Sequence, residues 1–284
     1  MIKLEDVNYV YMPGGPFEKT ALKNISFEIK QGEFIGLIGH TGSGKSTLIQ
    51  LLNGLIKPTS GKVIVNNKVL GEKDVDMRQL RFEVGLVMQY PEYQLFEETV
   101  AKDIAFGPAN MGLDEKEIAK RVQFAADMVG LSPQLLEKSP FDLSGGQKRR
   151  AAIAGVLAME PKILILDEPT AGLDPAGRDE ILYKIKDMHE RMGMTVILVS
   201  HSMEDIARLA DRILVMNHGT VEMFATAEEV FCQGERLSKI GLDVPQITQI
   251  ADGLRSKGFP IGEGIYTVEE AVLRLAELMK LKEQ

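Results

Sequence analysis

The sequence predicts an α/β fold: a core of buried strands, interrupted by a helical subdomain and followed by a C-terminal helical extension. Three observations carry this. Five short aliphatic stretches bounded by turn residues read as buried strands, namely FIGLIG (34–39), KVIVN (62–66), EVGLVMQ (83–89), KILILDEP (162–169) and TVILVSH (195–201). About seventy residues of helical pattern lie between the third and the fourth. Two further helical patterns close the chain, after a hairpin expected near 214–223.

The first strand runs into GHTGSGKS (39–46), which fits G-x-x-x-x-G-K-[ST] and is followed by the helix STLIQLLNGL. Glycines at these positions let backbone N–H groups turn inward on phosphates, and the helix N-terminus adds partial positive charge. Gly39, His40, Thr41, Gly42, Ser43, Gly44, Lys45, Ser46 and Thr47 are therefore candidate phosphate-binding residues. Lys45 is placed to pair with β and γ phosphates and Ser46 to offer its hydroxyl to Mg2+. A glycine turn that merely joined strand to helix would explain neither. EVGLVMQ ends on Gln89, whose reach and amide polarity suit a place in the Mg2+ and water network.

The insertion, about residues 90–160, contains DEKEIAKRVQFAADMVGL, where Asp114 can cap a helix and Ile118, Val122, Ala125 and Val129 recur on one face. It then presents a second glycine-rich loop, LSGGQ, opening the helix QKRRAAIAGVLAME. Ser144, Gly145, Gly146 and Gln147 form a second anion site at a positive helix end. Since this loop lies beyond the insertion, its simplest use is to close over a γ phosphate held by another subunit. That arrangement is a head-to-tail pair with two composite sites. The strand ILILDEP delivers Asp167 and Glu168 to the C-terminal edge of the sheet, where ligands bind in open α/β folds. Asp167 suits the Mg2+ shell, and Glu168 suits orienting or deprotonating the attacking water. His201 ends the last strand at the same edge, where it could touch the γ phosphate and hold that water.

Residues 1–234 are expected to form the nucleotide-binding domain and 235–284 an extension. Within the extension, PQITQIADGLRSKG is stopped by Gly258, and TVEEAVLRLAELMK has Thr267 and Glu270 at capping-box spacing. So short a segment must pack on something, either covering its own domain or serving as a dimerisation or partner surface.

Composition narrows the function classes. The 284 residues are 44% hydrophobic and 26% charged, as in ordinary globular proteins, and carry a formal charge of -8, which argues against a nucleic-acid binder. The start, MIKLEDVNYV, has no apolar signal region, and the longest apolar run, AAIAGVLAM (151–159), is about half a membrane span. Cys232 is the single cysteine, consistent with a reducing compartment. The expectation is a cytoplasmic protein that reaches a membrane only through partners.

The order GHTGSGKST, Gln89, LSGGQ, ILILDEP, AGLD and His201 resembles the ATP-binding-cassette ATPases over about residues 1–225. The resemblance implies a P-loop cassette core that uses ATP and Mg2+, with Tyr11 stacking on adenine and Asp174 signalling between the two sites. Tyr9 is close, and either tyrosine could be strand core. The segment PEYQLFEETVAKDIAFGP resembles the energy-coupling factor transporter ATPases, importers of vitamins and of cobalt or nickel ions. PGGPFEKTAL, GHTGSGKST and the long tail resemble the second of that family's two ATPase types. This implies ATP hydrolysis at the cytoplasmic face of the membrane, with three partners: a second ATPase subunit (a paralogue or a second copy), an integral membrane coupling subunit and a substrate-binding membrane subunit. In the segment after Gln89, Tyr93, Leu95, Phe96 and Val100 could present an apolar groove to a membrane-subunit helix, or could be core of the insertion. A general amino-acid or metal importer ATPase would differ only in its partner. A soluble cassette acting on DNA or ribosomes is opposed by the single cassette, the lack of sustained heptads and the acidic balance.

Overall fold

The computed structural model describes residues 1–282. Its strands are β1 (Ile2–Tyr11), β2 (Lys19–Ile29), β3 (Phe34–Ile38), β4 (Ser60–Val65), β5 (Lys68–Val69), β6 (Val84–Val87), β7 (Ile163–Asp167), β8 (Thr195–Val199), β9 (Arg212–Asn217) and β10 (Thr220–Thr226). They form an antiparallel sheet ordered β2-β1-β4-β5 and a second sheet ordered β10-β9-β3-β8-β7-β6. The second sheet is parallel from β9 to β6, with β10 added antiparallel at one edge.

The parallel strands are largely aliphatic because both faces are covered. Along β7, Ile163 and Ile165 join the core shared with the antiparallel sheet and α1 (Lys45–Leu52), while Leu164 and Leu166 turn into the opposite core. That opposite core is roofed by the helical insertion. After α2 (Met77–Glu83), the insertion comprises α3 (Val100–Asn110), α4 (Glu115–Val129), α5 (Pro133–Leu136) and α6 (Gly145–Leu157). Asp114 caps α4 by accepting from the Glu117 N–H at 3.0 Å, and Gly130 ends it in the left-handed region. Val122, Ala125 and Val129 are buried as their spacing requires, with Ile118 half-buried beside them.

Four strands depart from the sequence expectation or add to it. KVIVN is not a fully buried strand: it lies in the antiparallel sheet as part of β4, where Val63 and Val65 turn inward while Lys62 stays exposed. The N-terminal strands β1 and β2 carry polar residues between apolar ones, and their pairing is broken by register shifts. β9 is more than half of a hairpin, since Ile35 to Ile38 of β3 pair with it inside the parallel sheet.

The last helices are α7 (Pro175–Met192), α8 (Met203–Leu209), α9 (Ala227–Phe231), α10 (Gly234–Lys239), α11 (Gln246–Ser256) and α12 (Val268–Lys282). Leu237 and Leu242 still belong to the core under the insertion. Beyond them Ala251, Ile261, Ile265 and Ala271 form a small cluster of their own. The extension is fastened back by Tyr266, whose ring lies 6.0 Å from that of Phe231, and by the Gln246 N–H, which donates to Glu204 at 3.2 Å. The α12 side chains Val268, Val272, Leu273 and Met279 remain exposed. Among the described residues, no helix is long and apolar enough to cross a membrane.

Candidate nucleotide site

Four neighbouring parallel strands, β3, β8, β7 and β6, end at one edge of the sheet, and each is followed there by a residue singled out above. Together they line a cavity of about 600 Å³ that holds Lys45, Ser46, Gln89, Asp167, Glu168 and His201. The loop after β3 is shaped by glycine at two points in particular. A Cβ on Gly39 would lie 2.4 Å from the Met216 carbonyl oxygen, so no side chain fits. Gly44 takes a φ of 106° as the N-cap of α1, and no side chain caps that helix. The first-turn N–H groups of α1 are thus left for another acceptor.

Lys45 is buried and donates from Nζ to the carbonyls of Gly39 at 2.5 Å and His40 at 3.2 Å. Burial lowers its pKa, and the carboxylates of Glu168 and Asp167 oppose that shift. Glu168 follows β7 directly, adopts a left-handed backbone with φ of 50°, and is anchored by its N–H to the Val199 carbonyl at 3.1 Å. Its Oε1 is buried without a hydrogen-bond partner and lies 3.6 Å from His201 Nε2. Burial, reinforced by Asp167 and opposed by Lys45, pushes its carboxyl up to about 7. Asp167 is also raised by burial, again opposed by Lys45. His201 is lowered by burial and by Lys45, which favours the neutral imidazole. A carboxyl poised near neutrality beside a neutral imidazole can take up or release a proton at working pH.

Thr41, Gly42, Gly44, Thr47 and Tyr11 also line the cavity. The Tyr11 hydroxyl is 3.1 Å from Thr47 Oγ1, whereas Tyr9 packs on the core beneath it with ring centroids 4.8 Å apart. Of the two tyrosines, Tyr11 is the one at the cavity. Gly39, His40 and Ser43 support the loop from outside the lining. Ser43 is fully buried with an unpartnered Oγ, and His40 reaches Asn217 at 3.3 Å and lies 4.6 Å from the His218 ring. The lining residues that escaped the sequence reading include three with basic or titratable side chains, Lys19 and Lys23 on β2 and His218 in the turn after β9. Lys19, Ala21 and Lys23 alternate, so they share one face, but that signal exists only once β2 is recognised as a strand.

The second glycine loop does not meet the first within the chain. Ser144 and Gln147 form a capping box on α6, Gln147 Oε1 accepting from the Ser144 N–H at 3.0 Å, and Ser144 and Gly145 are exposed, with Gly146 beside them half-buried. Asp174 likewise caps α7, accepting from the Gly177 N–H at 2.8 Å. Neither loop contributes to the cavity.

A second cavity of about 560 Å³ lies between α2, α3 and α6, lined by Phe82, Leu95, Phe96, Asp103 and Phe106 among others. Of the four apolar groove candidates, Leu95 and Phe96 line it. Tyr93 stands 84% exposed outside it, and Val100 is fully buried in the main core because the first turn of α3 directs it inward.

Residues 22–171 match the ABC transporter family. The chain is 61% identical over 270 residues to the energy-coupling factor transporter ATP-binding protein EcfA2 of Caldanaerobacter subterraneus subsp. tengcongensis, covering 95% of this chain and 94% of that one. The protein of the same name from Bacillus subtilis is 48% identical over 93% of this chain and 97% of its own. Among solved structures, cbiO1 from Clostridium perfringens, described as part of the ABC transporter complex cbiONQ, gives a TM-score of 0.75 at 42% identity over 88% of this chain and 98% of that one. A dimeric ATP-binding cassette in a post-hydrolysis state with ADP and Pi gives 0.71 at 32% identity, covering 80% of this chain and 99% of that one. On the strength of the cavity and these matches, the chain belongs to the ABC transporter family, in its branch of energy-coupling factor ATP-binding subunits.

Proposed function

We propose that this chain is the ATP-hydrolysing subunit of an energy-coupling factor importer for a vitamin or for cobalt or nickel ions, acting at the cytoplasmic face of the membrane. The observation that carries the hydrolytic role is the buried, unpartnered Glu168 Oε1, held near neutrality in the same cavity as Lys45, Ser46, Gln89, Asp167 and His201. Lys45 and the uncapped start of α1 receive the phosphates, and Tyr11 faces the adenine. No three His, Cys, Asp or Glu side chains among the described residues gather to hold a metal by themselves. The Ser46 hydroxyl, the Gln89 amide and the Asp167 carboxylate are hard oxygen donors, and such a small set suits Mg2+ that is held largely by phosphates and water. Bound by these residues, Mg2+ would supply positive charge that offsets the negative charge of the phosphates. Glu168 orients the attacking water and accepts its proton, while His201 holds the γ phosphate end of that arrangement.

The exposed loop of Ser144, Gly145, Gly146 and Gln147 completes the site of a second ATPase subunit, a paralogue or a second copy, in a head-to-tail pair, with Asp174 at the junction. The groove at Leu95 and Phe96 receives a helix of the integral membrane coupling subunit, which in turn works with a substrate-binding membrane subunit.

Glu168→Gln is the test of the hydrolytic role. ATP binding is expected to persist and Mg2+-dependent turnover to fall by about a hundredfold or more. Near-normal steady-state hydrolysis would remove Glu168 from its role. For the pairing, a mixed dimer with Lys45→Ala on one subunit and Ser144→Arg on the other should keep one intact site. Two damaged sites would mean that the loop acts in cis.

A further inference from the structure

Arg149 lies on α6, two residues beyond Gln147, and is 3% exposed. Its guanidinium makes a two-pronged pair with Glu92, Nε to Oε2 at 3.1 Å and Nη2 to Oε1 at 2.7 Å. Its Nη1 donates to two main-chain carbonyls, Ala171 at 2.5 Å and Pro169 at 3.3 Å. The cation also stands 6.0 Å from the centre of the Tyr90 ring. A buried cation is tolerated only when it is fully paired, and this one is paired entirely to two turns.

Those turns are the ones that matter for turnover. Tyr90 and Glu92 lie within three residues after Gln89, and Pro169 and Ala171 within three residues after Glu168. Tyr90 and Glu168 both hold left-handed backbones, with φ of 54° and 50°, a conformation that persists only when its surroundings enforce it. At its far end the segment after Gln89 is fastened again, because Asp103 of α3 accepts from the N–H groups of Phe96 at 3.2 Å and Glu97 at 3.3 Å. The stretch 90–97 is therefore pinned to α6 by Arg149 and to α3 by Asp103, with the groove residues Leu95 and Phe96 between the pins.

We propose that Arg149 is a positioning residue that ties the helix opened by the second glycine loop, the segment after Gln89 and the turn bearing Glu168 into one unit, and so holds Gln89 and Glu168 in register for hydrolysis. The proposal deepens the hydrolytic reading of the cavity and rests on it. The need for arginine is geometric. A planar fork reaches a carboxylate and two carbonyls from three separate nitrogens, whereas lysine keeps the charge but donates all its N–H bonds from one nitrogen and cannot span the same set.

The test uses the complete transporter complex, purified from detergent-extracted membranes, with Arg149→Lys, Glu92→Gln and the double variant on this chain, and Lys45→Ala as reference. Arg149→Lys is expected to lower kcat for ATP by about tenfold to a hundredfold, the scale of a misplaced catalytic group, while KM for ATP changes less than about twofold. Glu92→Gln should lower kcat with the same unchanged KM, and the double variant should be no worse than Arg149→Lys, because both remove one linkage. The single variant Glu92→Gln covers the case in which Arg149→Lys does not fold. Wild-type kcat in Arg149→Lys or Glu92→Gln, fully additive losses, or losses that merely follow thermal destabilisation would overturn the proposal. If Lys45→Ala leaves hydrolysis in the same complex at the wild-type rate, the hydrolytic reading of this chain itself fails. If Lys45→Ala lowers hydrolysis and Arg149→Lys does not, only the role of Arg149 fails.

Discussion

The nucleotide cleft and the apolar groove are of similar size, about 600 and about 560 Å³, and Gln89 and Gln94, five residues apart, line one each. Their construction differs. The cleft gathers a lysine, a hydroxyl, an amide, two carboxyls and an imidazole at the ends of parallel strands. The groove is walled by Phe82, Leu95, Phe96 and Phe106, with Asp103 at its edge holding the backbone. In the cleft each position demands one chemical group. In the groove a position demands only apolar bulk facing outward, and neighbours along the chain differ in function through nothing but the direction of their side chains.

The sharpest way to break the comparison is a lesion in each cavity that spares the other. Lys45→Ala removes the cation proposed to meet the phosphates and is expected to reduce ATP hydrolysis by about a hundredfold or more, since such a group stabilises transition-state charge. Co-purification with the membrane partner should persist, because Lys45 lies on α1 and does not line the groove. Loss of both together would mean that the cavities are one functional site.

Leu95→Glu is the reciprocal lesion. A carboxylate placed in the groove should abolish co-purification with the membrane subunit while leaving ATP hydrolysis by the free chain within about twofold, as expected for a half-exposed site remote from the chemistry. Leu95 also packs against the main core, so the thermal midpoint must be measured alongside. Unfolding of the isolated variant would make Leu95 a core residue, and a stable variant that still binds its partner would move the docking surface elsewhere.

This contrast also explains what the sequence revealed. Lys45, Ser46, Asp167, Glu168 and His201 were legible because their spacing against strand ends matches the chemistry of phosphate binding. The five aliphatic stretches were legible as strands, although KVIVN carried no sign that it lies in the other sheet. Lys19, Lys23 and His218 were not legible, since the pairing of β2 with β1 is broken by register shifts that blur its alternation, and no motif marks His218 within the expected hairpin. Leu95 and Val100 read alike as apolar residues of one segment, yet one lines the groove and the other is fully buried. Arg149 looked like one of three ordinary basic residues after LSGGQ, because its partners Glu92, Pro169 and Ala171 are distant in sequence.

The smallest expected effect separates the cavities by titration rather than by deletion. In the nucleotide-free, Mg2+-free protein, the Glu168 carboxyl sits at about 7 against an ordinary value of 4.5, chiefly through burial and then through Asp167. The folded chain thus holds this proton more tightly than the unfolded chain does. The resulting stabilisation is fully present below about pH 4.5 and is lost as pH rises through about 7. Its ceiling is on the order of 3 kcal/mol, reduced by the partial exposure of the group. Glu168→Gln mimics the protonated carboxyl at every pH, so the variant should melt a few degrees above the wild type at pH 8 and converge on it toward pH 5. Asp167 titrates in the same direction but is present in both proteins, so the difference between the two melting curves isolates Glu168. Leu95→Ala, a change in the groove that adds no titratable group, should give a melting difference independent of pH over the same window. A constant offset between wild type and Glu168→Gln from pH 5 to pH 8 would show that the buried Oε1 carries no proton near neutrality, and the cleft would then have to activate its water by orientation alone.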